Sequence, residues 1–170
     1  GRLIRQVLRG EARDADGAVM QPRSIAGLFV ADRADHLACE IEPALSQGTD
    51  VISDRYVHSS LAYQGVECDI EWVAAINGTM RIPDLTIFVE VPAALAAERR
   101  SQRRGEPELY EVTAFQEKVA NGYRRAMALR PQDRVEIVDG AGDVETVHRA
   151  ICAVIEARLP SMVKKEMTNA

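Results

Sequence analysis

Cysteine is scarce and scattered: Cys39, Cys68 and Cys152 form no Cys-x-x-Cys pair and no Cys/His ligand spacing. Neither a disulfide framework nor a zinc site is indicated, and the three read as reduced, buried thiols. Long apolar runs are missing as well. No stretch approaches the roughly 20 residues that a membrane helix needs, and Gly1 to Gly10 alternates arginine with apolar side chains where a signal peptide would have its core. A basic excess is also lacking. The formal net charge of -5 and a pI near 5.3 argue against general nucleic-acid binding, which wants a cationic face to displace counterions. These absences point to a cytoplasmic protein with neither membrane nor nucleic acid as partner.

The 170 residues, 46% hydrophobic and 28% charged, suit one globular α/β domain with a proper core. The chain is organised around Asp50 to Gly65. Val51 and Ile52 read as a short buried strand, and residues leaving the carboxyl end of a strand line the ligand crevice of open parallel sheets. That places Asp54, Arg55 and Tyr56 where small-molecule sites lie. A carboxylate there holds a metal or a hydroxyl, and a guanidinium grips phosphate through two parallel hydrogen bonds. The pair alone is more often a strand-end ion pair than a site. Ser59, Ser60, Tyr63 and Gln64 follow within two helical turns and Gly65 closes the segment, an opening seldom seen in a purely structural helix.

Elsewhere strand and helix alternate, which implies a parallel sheet with helices on its faces. Leu3, Ile4, Val7 and Leu8 open the chain at helical spacing, so a preceding segment is expected. Glu11 to Gln21 reads as a surface loop. Ser24 to Ser46 reads as one helix with Ser24 as N-cap, Pro43 as a kink and Gly48 as its stop. On it, Phe29 and Arg33 lie one turn apart: a platform and cation for a flat polar base, or a core phenylalanine beside a surface arginine. Ile70 to Ile76 is a helix ending at Asn77-Gly78, with Trp72 in a packing role. Leu85 to Val91 reads as a strand buried on both faces, ended by Pro92. The helix from Ala93 runs into Arg99, Arg100, Arg103 and Arg104, then Gly105-Glu106-Pro107: a mobile lid closing over phosphate, or a solvated helix end. Glu111 to Leu129 reads as a structural helix with Phe115, Val119 and Tyr123 spaced by four. Val135 to Val138 is a strand, Asp143 caps a last helix, and residues 160–170 are a loose tail.

Leu28-Phe29-Val30-Ala31-Asp32-Arg33, Ile41-Glu42-Pro43-Ala44-Leu45, Asp54-Arg55-Tyr56 with Ser59, Ala62-Tyr63-Gln64-Gly65, Pro83-Asp84-Leu85-Thr86 and Val91-Pro92 occur in this order. Together they resemble the thymidylate kinases of the P-loop nucleoside monophosphate kinase group. The resemblance implies a three-layer α/β fold, ATP and dTMP as substrates, Mg²⁺ as cofactor and a homodimer formed through helices. It implies that Phe29 stacks on thymine, Arg33 bonds its carbonyl edge, and Tyr63 crowds out a 2′-hydroxyl. Ser59, Ser60 and Gln64, with Tyr56, complete the pocket. Arg55 clamps the 5′-phosphate, and Asp54 holds that arginine and the Mg²⁺ water shell or orients the attacking oxygen. Arg99, Arg103 and Arg104 fall where bacterial members carry lid arginines.

Two departures qualify the resemblance. No Gly-x-x-x-x-Gly-Lys-Ser/Thr occurs, and in the family this phosphate cradle precedes the position of Gly1. The family's first strand, central in its sheet, and its second strand would precede Gly1 too, so the strands present are not expected to form one continuous sheet. An N-terminal extension, or another segment filling the gap, is therefore expected. Leu109 stands before Tyr110-Glu111 where many members have arginine, so a lid contact is either lost or supplied by Arg103 or Arg104. The rival readings are another deoxynucleotide or deoxynucleoside kinase of the same fold, which base preference at Phe29 and Arg33 would separate, and a non-catalytic nucleotide-binding module.

Overall fold

A computed structural model of the chain describes residues 1–101 and 113–160. It contains α1 (Arg2–Leu8), α2 (Pro22–His36), a π-helical turn (Leu37–Ile41), α3 (Glu42–Ser46), α4 (Val57–Gln64), α5 (Ile70–Ile76), β1 (Thr86–Glu90), α6 (Ala93–Ser101), α7 (Thr113–Leu129), β2 (Val135–Asp139) and α8 (Val144–Arg158). The chain divides into two compact units, one carrying α1–α5 and α7, the other β1, α6, β2 and α8. Among the described residues, no helix is long and apolar enough to cross a membrane.

In the first unit, the helix expected from Ser24 begins earlier. Gln21 is extended at the cap position and Pro22 takes the first turn, where proline's fixed φ suits a helix and its missing N–H is no loss. Ser24 lies inside, its N–H donating to the Gln21 carbonyl at 2.9 Å. Nor does the helix run unbroken to Ser46. Pro43 has no N–H for the carbonyl of Cys39 and its ring crowds that oxygen, and the chain widens into the π-turn just before it, the expected kink in another form. Gly48, at φ 75°, ends the segment as expected.

Val57, Leu61, Ile70, Val73, Met80 and Ala126 make the core of this unit, with Val30, Leu37 and Trp72 packed against it. Trp72 has the packing role expected of it, its indole also lying 5.1 Å beneath the Arg23 guanidinium. The helices α4 and α7 approach closely because α7 has a glycine at their crossing. A Cβ on Gly122 would lie 2.8 Å from the Ala62 carbonyl oxygen.

The second unit is built on a parallel pair, Thr86 opposite Val135 and Glu90 opposite Asp139. The strand expected at Leu85 to Val91 is therefore present but not covered on both faces: Val89 is 39% exposed and Ile137 58%. Two strands with few covering helices leave apolar side chains open. Val51 and Ile52, expected as a buried strand, are 37% and 91% exposed and adopt no strand. A β-strand needs a ladder partner, and among the described residues none pairs with them. This is the interrupted sheet that the resemblance implied. At the other end of β2, Asp143 caps α8 as expected, accepting from the Thr146 N–H at 2.7 Å.

Candidate functional site

The residues singled out between Asp54 and Gln64 are distributed by the helical period of α4. Val57, Leu61 and Ala62 face the core and are fully buried. Ser60 and Gln64, one turn apart, lie on a buried flank, and Ser59 and Tyr63, also one turn apart, on a half-buried one. Each flank meets a different helix.

The Ser60 flank meets Arg33 of α2. The Arg33 guanidinium donates to Ser60 Oγ at 2.7 Å, to the Tyr56 carbonyl at 3.2 Å and to Asn77 Oδ1. It also stacks 5.3 Å from the centre of the Tyr56 ring. Burial lowers its pKa, with the positive charge of Arg130 adding to that and Tyr56 and Asp32 opposing it. Arginine stays charged regardless, so a partly desolvated cation is held in one orientation. Three of its five N–H groups are used in these bonds. Asn77 was read from sequence only as a helix stop. It is fully buried, donates to the Val73 carbonyl at 2.8 Å and accepts from Arg33. The available signal was Asn before Gly at a helix end.

The Ser59 flank meets α7. Tyr123 donates its hydroxyl to Ser59 Oγ at 3.1 Å. Its ring stands edge-on to Tyr63 with centroids 6.4 Å apart, and Phe115 lies 6.2 Å from Tyr63 on another side. The reading of α7 as purely structural is thus incomplete, because an apolar stripe hides a tyrosine that reaches the candidate site. Burial, the larger effect, raises the Tyr123 pKa against the opposing influence of the Ser59 bond.

Arg55 joins this second group, its guanidinium 5.1 Å from the centre of the Tyr63 ring. It is exposed, and its φ of 65° is the one positive value at a non-glycine among the described residues. Left-handed arginine costs roughly 1–2 kcal/mol, a strain typical of positions held for a task. Asp54 precedes it, exposed. Phe29 is half-buried one turn before Arg33 on α2, which puts the two on one helix face as expected. On this segment Tyr56 Oη and Gln64 Oε1 are buried and have no hydrogen-bond partner among the described residues. Burial raises the Tyr56 pKa, so its phenol stays protonated and able to donate.

Arg99, expected as a lid residue, is bonded within the second unit. Its guanidinium donates to the carbonyls of Gly140, Ala141 and Gly142 at 2.8, 3.0 and 3.0 Å, fastening α6 to the turn after β2. Arg103, Arg104, Leu109, Tyr110 and Glu111 lie outside the described residues, as do 161–170 of the expected tail.

A cavity of about 320 Å³ in the first unit is lined by Val19, Met20, Pro22, Ile25, Glu67 and Phe115, among others. It contains none of the predicted site residues. Its lining offers an anionic ligand a carboxylate and no cation.

The family model for thymidylate kinase matches residues 1–151. The chain belongs to the thymidylate kinase family. It is 36% identical over 162 residues to a probable thymidylate kinase of Thermococcus kodakarensis, covering 94% of this chain and 78% of that relative. It is likewise 36% identical over 170 residues to a thymidylate kinase of Lactobacillus helveticus, covering 95% and 80%. The solved thymidylate kinase of Candida albicans superposes with a TM-score of 0.70 at 24% identity, over 92% of this chain and 73% of that one. That likeness shows the fold, the α/β fold of the family. In that thymidylate kinase fold, the two arginine clusters stand on α2 and at the entry to α4.

Proposed function

We propose that the protein transfers the γ-phosphoryl group of ATP to dTMP, giving dTDP, and that Gly1 to Ala170 form one thymidylate kinase-like domain of a cytoplasmic homodimeric enzyme. The observation that carries the reading is Arg55: an exposed guanidinium held at positive φ over the Tyr63 ring. In such a position it binds the 5′-phosphate through two parallel N–H groups, while Asp54 beside it orients the arginine or the attacking phosphate oxygen. The acceptor phosphate is already largely ionised at neutral pH, so placement and charge neutralisation matter more than a strong base.

Thymine stacks on Phe29 and takes hydrogen bonds from Arg33. Tyr63 walls the deoxyribose. Ser59 and Ser60 edge the pocket, and Tyr56 Oη and Gln64 Oε1 supply a donor and an acceptor that find no partner among the described residues. Arg103 and Arg104 neutralise the transferring phosphoryl group. A lid role for Arg99 requires its three bonds to the Gly140–Gly142 carbonyls to open.

Among the described residues no three His, Cys, Asp or Glu side chains gather as an all-protein metal cage. Mg²⁺ fits this donor set nonetheless, because it keeps several waters and is bound through one or two carboxylates plus substrate phosphates. Asp54 would hold it through water, and the ion would supply charge neutralisation at the phosphates.

Titration of the full-length protein with dTMP, paired with an ATP-dependent phosphoryl-transfer assay, tests the reading. Arg55→Ala should weaken dTMP binding and lower turnover together. Unchanged affinity and turnover would sink the phosphate-clamp assignment, and dTMP binding with no transfer would favour a binding module.

A further inference from the structure

Tyr123 is the residue of α7 whose chemistry its own packing does not explain. The ring fills a space between helices that phenylalanine would fill as well, and a partly buried hydroxyl costs free energy unless it is bonded. Here it is bonded, to Ser59 Oγ at 3.1 Å. The same ring stands edge-on to Tyr63. Ser59 and Tyr63 lie one turn apart on α4, so one side chain of α7 touches both residues of that flank. The reach is set by the neighbouring residue, since Gly122 lets α7 approach the Ala62 backbone to a distance no side chain would tolerate.

The direction of the bond follows from acidity. A phenol is a better proton donor than an alcohol, so Tyr123 donates and Ser59 Oγ accepts. Burial raises the phenol's pKa, and the donor keeps its proton through the neutral range. With α7 occupying an acceptor lone pair of Ser59, the serine's own proton is directed elsewhere.

We propose that Tyr123 is a positioning residue for the nucleotide: it commits Ser59 to donate to an oxygen of the bound substrate and fixes the Tyr63 ring as the pocket wall. The inference rests on the dTMP reading of this site. A phenylalanine at 123 keeps the wall and loses the commitment.

The test is equilibrium titration with dTMP and steady-state kinetics on the full-length protein carrying Tyr123→Phe, Ser59→Ala, and both together, with Arg33→Ala as reference. Tyr123→Phe and Ser59→Ala should each raise the dTMP dissociation constant by about fivefold, the size of one hydrogen bond. Their effect should fall more on the dissociation constant than on kcat and, combined, they should be no worse than Ser59→Ala alone, because both remove the same bond. Additive losses, or wild-type affinity in Tyr123→Phe when Ser59→Ala is impaired, would overturn the proposal and leave the dTMP site standing. Unchanged affinity in both Ser59→Ala and Arg33→Ala would overturn the site reading and the proposal with it. Ser59→Ala acts on the same bond from α4, so a folding defect in the tyrosine variant does not remove the test.

Discussion

At Arg55 stability and function pull in opposite directions, and a single substitution separates them. Its left-handed backbone, φ 65°, is costly for arginine and free for glycine. Arg55→Gly is therefore expected to raise stability by about 1 kcal/mol in chemical denaturation while weakening dTMP binding. A less stable variant would mean that the guanidinium's contact with Tyr63 outweighs the strain. Asn77 is the opposite case, buried, satisfied and supporting a neighbour. Asn77→Ala removes the acceptor beneath Arg33 and should cost about 1–3 kcal/mol of unfolding free energy, with a parallel loss of dTMP affinity because Arg33 loses its orientation. Phe29, Arg33, Asp54, Arg55 and the α4 side chains could be picked out as candidates because their spacing is local, within a helix turn or at its entry. Asn77 and Tyr123 were not legible as partners of those candidates. Each acts through a partner 44 or 64 residues away, and short-range patterning carries no trace of such a pairing.

Between elements, close approach decides more than propensity. At Gly122, alanine would favour the helix by about 1 kcal/mol, but its Cβ would meet Ala62 backbone atoms at 2.8 and 2.9 Å. Overpacking against backbone costs about 1–3 kcal/mol, so Gly122→Ala should lower stability on balance and weaken dTMP binding by moving Tyr123 off Ser59. The cap of α8 gives a pH signature. Asp143 has its pKa lowered chiefly by the Thr146 N–H. A carboxyl depressed in the folded state contributes stability above its unfolded pKa and loses it as pH falls through the folded value. Asp143→Asn should therefore differ from wild type in melting temperature near neutrality and converge with it in acid; a gap that widens on acidification would contradict the assignment. Helices were the most legible elements because amphipathic periodicity and caps are local signals. The helix from residue 22 still began earlier than a serine cap suggested, since Pro22 is the stronger start signal, and Pro43 acted through a π-turn. The strand expected at Val51-Ile52 failed for a non-local reason: an apolar pair becomes a strand only beside another strand.

For the molecule as a whole, the chain is a thymidylate kinase relative whose first unit holds the Arg33 and Arg55 clusters and whose second holds the β1–β2 pair. The parallel α/β character was legible from alternating elements, whereas the division into two compact units was not, because it depends on which distant segments touch. If dTMP binds the first unit of the native protein and not the unfolded chain, saturation at a hundred times its dissociation constant adds about 2.7 kcal/mol of stability. The rise in melting temperature should vanish in Arg33→Ala at equal dTMP concentration. The central claim is tested most directly by incubating the full-length protein with ATP, Mg²⁺ and dTMP and following nucleotide products by ³¹P NMR. One dTDP should form for each ATP converted to ADP, with formation strongly reduced in Arg55→Ala. ATP consumption independent of dTMP, or dTMP left unphosphorylated by a folded protein that binds it, would contradict it.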